Sequence, residues 1–384
     1  MHIAIICDEY PPAPHGGTGS SYRDLAEGLI AAGHRATVLG ISVTQALGRA
    51  TDETINSVRV LRLPRAPRWL GTRLGGCFER RQLRAALRRA HSSTPFDAIE
   101  CSDYNGWLSG GSGIQAVPTI VRIRGSNLFF DAELARPPQH FEHRHERACL
   151  AGATHLASVS RYAAERTLSL AGLGGRPCEI IPNGLDADYF SPDPATAPQP
   201  GLVVFVNMVT PRKGIEQLIL AVNEIFPSRP HTRLAVVGTD PRGGHLRFVE
   251  HLQNLILPEL RERVIWTGRL PRDEVLCWLR RAAVCCYPSH METFGISAIE
   301  GMSVGQPVIF TRLGPGPEIV DDGNTGLLCD PRDPADIARC LALLLDDPAF
   351  AARLGSAARA EVLRRFDRRE WIARNLAFYE RCIA

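Results

Sequence analysis

Lysine is nearly missing from this chain: of 44 basic residues Lys213 is the single lysine and all the others are arginine. A coding bias is enough to empty a chain of lysine, and it makes the place of the one exception informative. Long apolar runs are missing too, and no segment approaches the roughly 20 residues that a membrane-spanning helix needs. The opening Met1-His2-Ile3-Ala4-Ile5-Ile6 has neither a basic leader nor a small-residue cleavage site, so it reads as a first β-strand and not a signal peptide. The 11 cysteines are scattered, with no C-x-x-C spacing and Cys285-Cys286 the only adjacent pair. That pattern argues against a zinc site or a disulfide framework, and a reducing cytoplasm is the expected setting. Charge of one sign is not in excess either, because a net charge of +3 is too small for wholesale nucleic-acid binding.

What is present suggests two α/β domains. A length of 384 residues exceeds what one hydrophobic core usually serves. Short apolar runs alternate with helical patterns: Ile3 to Ile6, then Tyr22 to Ala32 closed by Gly33, then Ala36 to Leu39. Further strands are expected at Ala98 to Ile99, Thr119 to Ile123, His155 to Val159 and Glu179 to Ile181. The proline-rich stretch 191–200 cannot continue a helix or a central strand and is expected to be the linker between a domain at 1–190 and one at 201–365. The alternation restarts at Leu202 to Val206, and the closing segment 366–384, with Trp371, Leu376 and Tyr379, is expected to be a helix packing back on the first domain. Strands alternating with helices imply parallel, doubly wound sheets, whose ligands lie beyond the carboxyl ends of the strands; two such domains facing each other are expected to form one cleft.

Three segments carry the chemistry. The loop after the first strand contains Gly16-Gly17-Thr18-Gly19 ahead of a helix, where backbone amides suit a phosphate. It fails as a dinucleotide fingerprint, because Tyr22 stands where G-x-G-x-x-G needs glycine and no ribose-binding acid closes the second strand. The segment 288–302 runs from a strand end into a helix, with Glu292 before the helix and Glu300 two turns along it. Amides near Phe294, Gly295 and Ile296 suit a diphosphate, and each carboxylate suits a vicinal diol, which together fit a nucleotide sugar. Third, Thr210-Pro211-Arg212-Lys213-Gly214 follows the first strand of the second domain, and a compact ammonium there suits a leaving phosphate.

In number and order these motifs resemble the retaining glycosyltransferases of family 4, with the GT-B fold. The resemblance covers residues 1 to about 365 and rests on Gly16-Gly17, Gly33-His34, Ile181-Pro182-Asn183-Gly184-Leu185-Asp186 with Phe190, and Lys213-Gly214. It continues through Glu292-x7-Glu300 around Phe294-Gly295, Gly305-Gln306-Pro307-Val308, Glu318-Ile319-Val320 and Gly323-Asn324-Thr325-Gly326. It implies that Lys213 binds the donor diphosphate, Glu292 the donor sugar and Glu300 the nucleotide ribose, while Gly16 and Gly17 let the first domain close over the phosphates. The implied donor is a UDP- or GDP-sugar, the anomeric configuration is retained, and no metal or other cofactor is needed. Two departures stand out. Asn207-Met208 occupy the place of the family's frequent Gly-Arg, so the second phosphate cation is expected to be Arg212 or to come from elsewhere in the chain. Arg124 stands where a histidine often lies near the transferred sugar, which makes Arg124, Asp103 and His15 the candidate acceptor or sugar contacts. The rivals are an epimerase or phosphorylase on the same fold, or a non-catalytic partner subunit.

One segment fits none of this. Between residues 62 and 89 the arginines Arg62, Arg65, Arg68, Arg73, Arg80, Arg81, Arg84, Arg88 and Arg89 face only Glu79 in opposition, and Trp69, Leu70, Leu74, Phe78, Leu83 and Leu87 interleave with them. Either this is a solvated helix on the first domain, or it docks the enzyme on anionic lipid at the inner face of the membrane to reach a lipid-linked acceptor. Without such docking the acceptor would be a soluble small molecule.

Overall fold

The computed structural model describes every residue except His15, Leu47 and 240–245; for residues 44–46, 68 and 246 it describes the backbone alone. The chain divides into two compact units, Met1–Gly184 with Arg368–Ala384, and Leu185–Asp367.

In the first unit the elements run β1 (His2–Ile6), α1 (Gly17–Ala31), β2 (Arg35–Ala46), β3 (Thr51–Ile55), β4 (Val58–Arg65), α2 (Gly71–Ser93), β5 (Ala98–Ser102), β6 (Thr119–Ile123), α3 (Asn127–Glu133), α4 (His140–Gly152), β7 (His155–Ser158), α5 (Arg161–Ala171) and β8 (Glu179–Ile180). They build one sheet in the order β3-β4-β2-β1-β5-β6-β7-β8. Every pairing is parallel except the β3-β4 hairpin at the edge. β1 is central and covered on both faces, so Ile3, Ala4, Ile5 and Ile6 form one continuous apolar run instead of an alternating one. Gly33 ends the first βα unit in the left-handed region at φ +82°, as its sequence position indicates. The hairpin turns on Asn56 and Ser57, both at positive φ, as a two-residue primed turn requires.

The second unit runs β9 (Leu202–Val206), α6 (Ile215–Ile225), β10 (Arg233–Val237), α7 (Leu246–Leu255), β11 (Val264–Gly268), α8 (Arg272–Arg281), β12 (Val284–Tyr287), α9 (Ile296–Ser303), β13 (Val308–Thr311), α10 (Gly316–Ile319), β14 (Leu327–Cys329), α11 (Pro334–Asp346) and α12 (Pro348–Arg365). Its sheet is wholly parallel, in the order β11-β10-β9-β12-β13-β14. Val203, Phe205 and Val236 pack there against Ile215, Leu218 and Val222 of α6.

The last helix, α13 (Arg368–Ile383), belongs to the first unit. Trp371 and Tyr379 are buried there, and Leu376 packs partly buried beside them. A wholly buried polar group fixes the helix in place. Arg122 of β6 forms a two-pronged ion pair with Glu100 of β5 at 2.6 and 2.9 Å, and also donates to Asn375; the Tyr379 hydroxyl donates to Glu100 at 2.8 Å. Breaking one partner of such a pair costs on the order of 3–5 kcal/mol, which makes the register of α13 specific.

One boundary differs from the sequence expectation. The chain passes between units at Gly184 and Leu185, and again at Asp367 and Arg368, so 191–200 lies inside the second unit. Its prolines do exclude regular structure, but side chains of the unit pin the segment: Arg280 donates to the Ser191 carbonyl at 2.8 Å, and the Gln199 amide donates to the Arg281 carbonyl at 2.8 Å.

Candidate functional site

In the second unit the direction of strand addition reverses between β9 and β12, and the loops leaving their carboxyl ends bound the crevice where open α/β sheets hold ligands. Both principal site residues leave from these two strands. After β9, a 3-10 turn over Pro211–Lys213 ends at Gly214, whose φ of +70° only glycine adopts freely. A Cβ at Gly214 would stand 1.8 Å from the Pro288 carbonyl oxygen, so this glycine also lets the two loops touch. The loops are tied further by the His290 amide donating to the Arg212 carbonyl at 2.9 Å and by a 2.8 Å bond between His290 Nε2 and Gln217 Oε1.

That contact brings Lys213 and Glu292 together. Lys213 Nζ donates to Glu292 Oε1 at 2.5 Å, and Ser289 Oγ donates to the same oxygen at 2.9 Å. The two charged side chains are 8% and 10% exposed, enough to stay reachable and little enough to be poorly screened. Burial pushes the Lys213 ammonium below the ordinary lysine range; Glu292 acts in the opposite direction, while Arg212 adds to the lowering. Arg212 is thus close enough to contribute charge at this spot, though half-buried itself. Asn207, in the place of the family's glycine, turns its Oδ1 onto the Met208 amide at 3.0 Å and supplies no cation.

Gly295 caps α9 from the left-handed region at φ +117°, and a Cβ there would meet the Phe310 ring at 2.4 Å. The first amides of α9 have no intrahelical acceptor, so the helix opens with N–H groups and a partial positive charge beside Glu292. Phe294 contributes only backbone here, because its ring is buried edge-on against Phe366, with centroids 5.8 Å apart. Ile296 opens α9, and Glu300 is half-buried on the same helix; burial raises the hydroxyl pKa of Tyr189 and Tyr287, and Glu300 adds a smaller push to each, behind Asp273 at Tyr189 and behind Cys285 at Tyr287.

In the first unit the candidate residues are more deeply engaged. Gly16 and Gly17 are exposed at the start of α1, but Glu9 occupies the amides around them, accepting from Gly16 at 2.8 Å and from Gly19 at 3.1 Å. The chain's own carboxylate therefore sits where the sequence suggested a phosphate. Arg124 is buried: its Nη1 donates to Ser21 at 2.9 Å and to Asn183 at 2.7 Å, and its guanidinium lies 4.5 Å from the centre of the Tyr22 ring. Asp103 is fully buried and holds the amides of Arg124 and Gly125; burial lifts its carboxyl to about 6, against the pull of those two hydrogen bonds. Both side chains thus organise the carboxyl ends of β5 and β6 from within. His15 lies outside the described residues. Sequence reasoning missed Glu9, Ser289 and Glu146. Glu146 is a buried carboxylate on α4 that accepts from the Asn105, Asn127 and Leu128 amides and from the Asn127 side chain.

The arginine-rich segment separates into two groups. Arg80 turns inward, 3% exposed, between Trp107 and Phe141, and donates to the carbonyls of Gly76, Asn105 and Gly106. Leu83 and Leu87 join the core, Arg62 pairs with Glu53, and Arg65 lies beside Glu79. Arg73, Arg81, Arg88 and Arg89 are exposed, Arg84 is half-buried, and Trp69, Leu74 and Phe78 are 82%, 66% and 48% exposed. The Arg68 side chain is outside the described set.

Two family models match the chain in succession: Glycosyltransferase Family 4 over residues 15–189 and Glycosyl transferases group 1 over residues 189–361. A glycogen synthase from Mycobacterium tuberculosis is 28% identical, covering 96% of this chain and 91% of that protein. A D-inositol 3-phosphate glycosyltransferase from Streptomyces avermitilis is 32% identical over 67% of this chain and 58% of its own length. Among solved structures, sucrose-phosphate synthase from Thermosynechococcus elongatus superposes with a TM-score of 0.81 at 25% identity, covering 99% of this chain and 98% of that one.

Proposed function

The chain is a glycosyltransferase of family 4, group 1, with the GT-B fold, and on that footing we propose that it moves a hexosyl group from a UDP- or GDP-sugar to an acceptor hydroxyl with retention of configuration. The observation that carries this reading is the buried Lys213–Glu292 pair at the switch point of the second unit, beside the amino end of α9. In the reaction the bond between the anomeric carbon and the diphosphate oxygen breaks, and the acceptor oxygen bonds to that carbon on the same face. The acceptor proton passes to the departing phosphate oxygen, so no protein nucleophile takes part. Lys213 and the amides leading into α9, at Phe294, Gly295 and Ile296, meet the charge that develops on the leaving group; preorganised donors in a poorly solvated site stabilise such charge best. Arg212 adds a second cation, and the reaction runs without a metal. Glu292 takes hydroxyls of the transferred sugar and Glu300 those of the ribose.

The first unit serves the acceptor. The glycine loop at Gly16 and Gly17 can reach a phosphate only once Glu9 has released its amides. The acceptor is lipid-linked, a precursor of a cell-surface glycan, and Trp69, Leu74, Phe78 and the exposed arginines of α2 hold the enzyme on the anionic inner face of the membrane. Arg88 and Arg89 are exposed near the carboxyl end of α2, open to a phosphate headgroup and remote in sequence from the donor-side residues. A soluble acceptor is the second reading, and the inward turn of Arg80 favours it by thinning the basic face.

The deciding experiment measures thermal stabilisation by a panel of UDP- and GDP-sugars, and release of nucleoside diphosphate from each, with and without EDTA. Turnover of one base series, unaffected by chelation, is expected. No thermal stabilisation by any member of the panel would refute the donor assignment.

A further inference from the structure

We infer that Ser289 is a positioning residue that fixes which oxygen of Glu292 is offered to the donor sugar. This rests on the donor reading above and goes beyond it, since it concerns how the carboxylate is held. Ser289 is fully buried just past β12, where its amide donates back to the Tyr287 carbonyl at 2.9 Å. Its hydroxyl donates to Oε1 of Glu292, the oxygen that also receives the Lys213 ammonium. A carboxylate oxygen offers two lone pairs in its plane, so these two donors saturate Oε1. Among the described residues Oε2 accepts no hydrogen bond, and the ammonium has no second acceptor.

The last torsion of a glutamate side chain is broad and two-fold, so an ion pair alone leaves the carboxylate plane loosely set. A lysine can meet either oxygen, or swing between them. A second donor from a different direction, on a fixed backbone, removes that freedom. The backbone of Ser289 is fixed, because the neighbouring His290 ties its loop to the Lys213 loop at Arg212 and to α6 at Gln217. Ser289 thus turns Oε2 away from the lysine and holds it open as an acceptor, while leaving the diphosphate-binding N–H groups of Lys213 untouched. The loss of Ser289 should therefore be felt by the sugar and not by the diphosphate.

Calorimetry on the full-length chain separates the two, using UDP against UDP-glucose and GDP against GDP-mannose. In the base series that the wild-type protein binds, Ser289→Ala is expected to weaken the nucleotide sugar about tenfold, the effect of one hydrogen bond to a charged group. The matching nucleoside diphosphate, which has no sugar to contact, should bind as tightly as before. Ser289→Thr, which keeps the hydroxyl, should restore sugar binding. Equal weakening of both ligands, or no weakening of either, overturns the inference while leaving the donor assignment standing. A wild-type protein that binds none of the four ligands refutes that assignment and the inference with it.

Discussion

Replacing Lys213 by methionine keeps most of the apolar stem, one atom shorter, and removes the charge. Two separate losses follow, and the structure lets them be sized. The catalytic loss comes from removing one preorganised donor that faces the leaving diphosphate, worth about 3 kcal/mol, or a fall in turnover of roughly 100-fold or somewhat more. The structural loss comes from Glu292, which is 10% exposed and would keep only the Ser289 hydroxyl. Leaving one member of a buried pair unmatched costs on the order of 3–5 kcal/mol, so Lys213→Met should also melt earlier. The two are separable. Stability is read from the thermal midpoint, and turnover is read well below it, per folded molecule, as nucleoside diphosphate released. Adding Glu292→Gln to Lys213→Met removes the orphaned charge, so the double variant should recover part of the lost midpoint while remaining inactive. Near-wild-type turnover by folded Lys213→Met would refute the role of the ammonium. A double variant no more stable than Lys213→Met would refute the electrostatic account of the pair.

For Glu300→Gln weaker donor binding is expected, because a carboxylate accepts from both ribose hydroxyls and an amide does so less well; calorimetry giving an unchanged dissociation constant would exclude that contact. Burial lifts the carboxyl of Glu146 from 4.5 to about 7, against hydrogen bonds from Leu128 and Asn127. A carboxyl with a raised folded-state pKa contributes stability that is complete below its unfolded value and is lost as pH rises through the folded one, so this group should lower the melting temperature between about pH 4.5 and 7. Glu146→Gln should flatten that part of the profile, and an unchanged slope would contradict the assignment. Wild-type protein should co-sediment with anionic vesicles at low salt, and replacing Arg81, Arg84, Arg88 and Arg89 by glutamine should abolish this. Arg80 is left out of that set because it is part of the core; a wild-type protein that stays in the supernatant would favour the soluble acceptor.

How much of this was legible depended on how local each signal is. The alternation of β and α, the glycine at Gly33 and the apolar run of β1 follow from the sequence because period and turn chemistry fix them within a few residues. The β3-β4 hairpin also had a signal that went unread: Val58, Val60 and Leu63 lie among polar residues, and only Asn56 and Ser57 separate the two strands. The same holds for Arg80, which stands three and seven residues before Leu83 and Leu87, on the face of α2 that enters the core. Glu9, Ser289 and the inward fold of Arg124 had no such signal. Each is defined by a partner reached through tertiary structure, at Gly16, Glu292 or Asn183, and one sequence does not record those approaches.

Lys213 was legible for a different reason. In a chain that otherwise uses arginine, the position is selected by what a guanidinium cannot do there. Arginine brings five donors in a rigid plane, and in a site 8% exposed with Glu292 Oε1 as its near acceptor most of them would be left unpaired. An ammonium on a flexible stem meets Oε1 with one hydrogen and turns the other two toward a ligand. The same smallness lets burial shift its pKa, which makes it a cation that strengthens when an anion arrives. The composition of the chain and the geometry of the switch point therefore report one constraint, a compact charge held half-neutralised beside an open carboxylate oxygen.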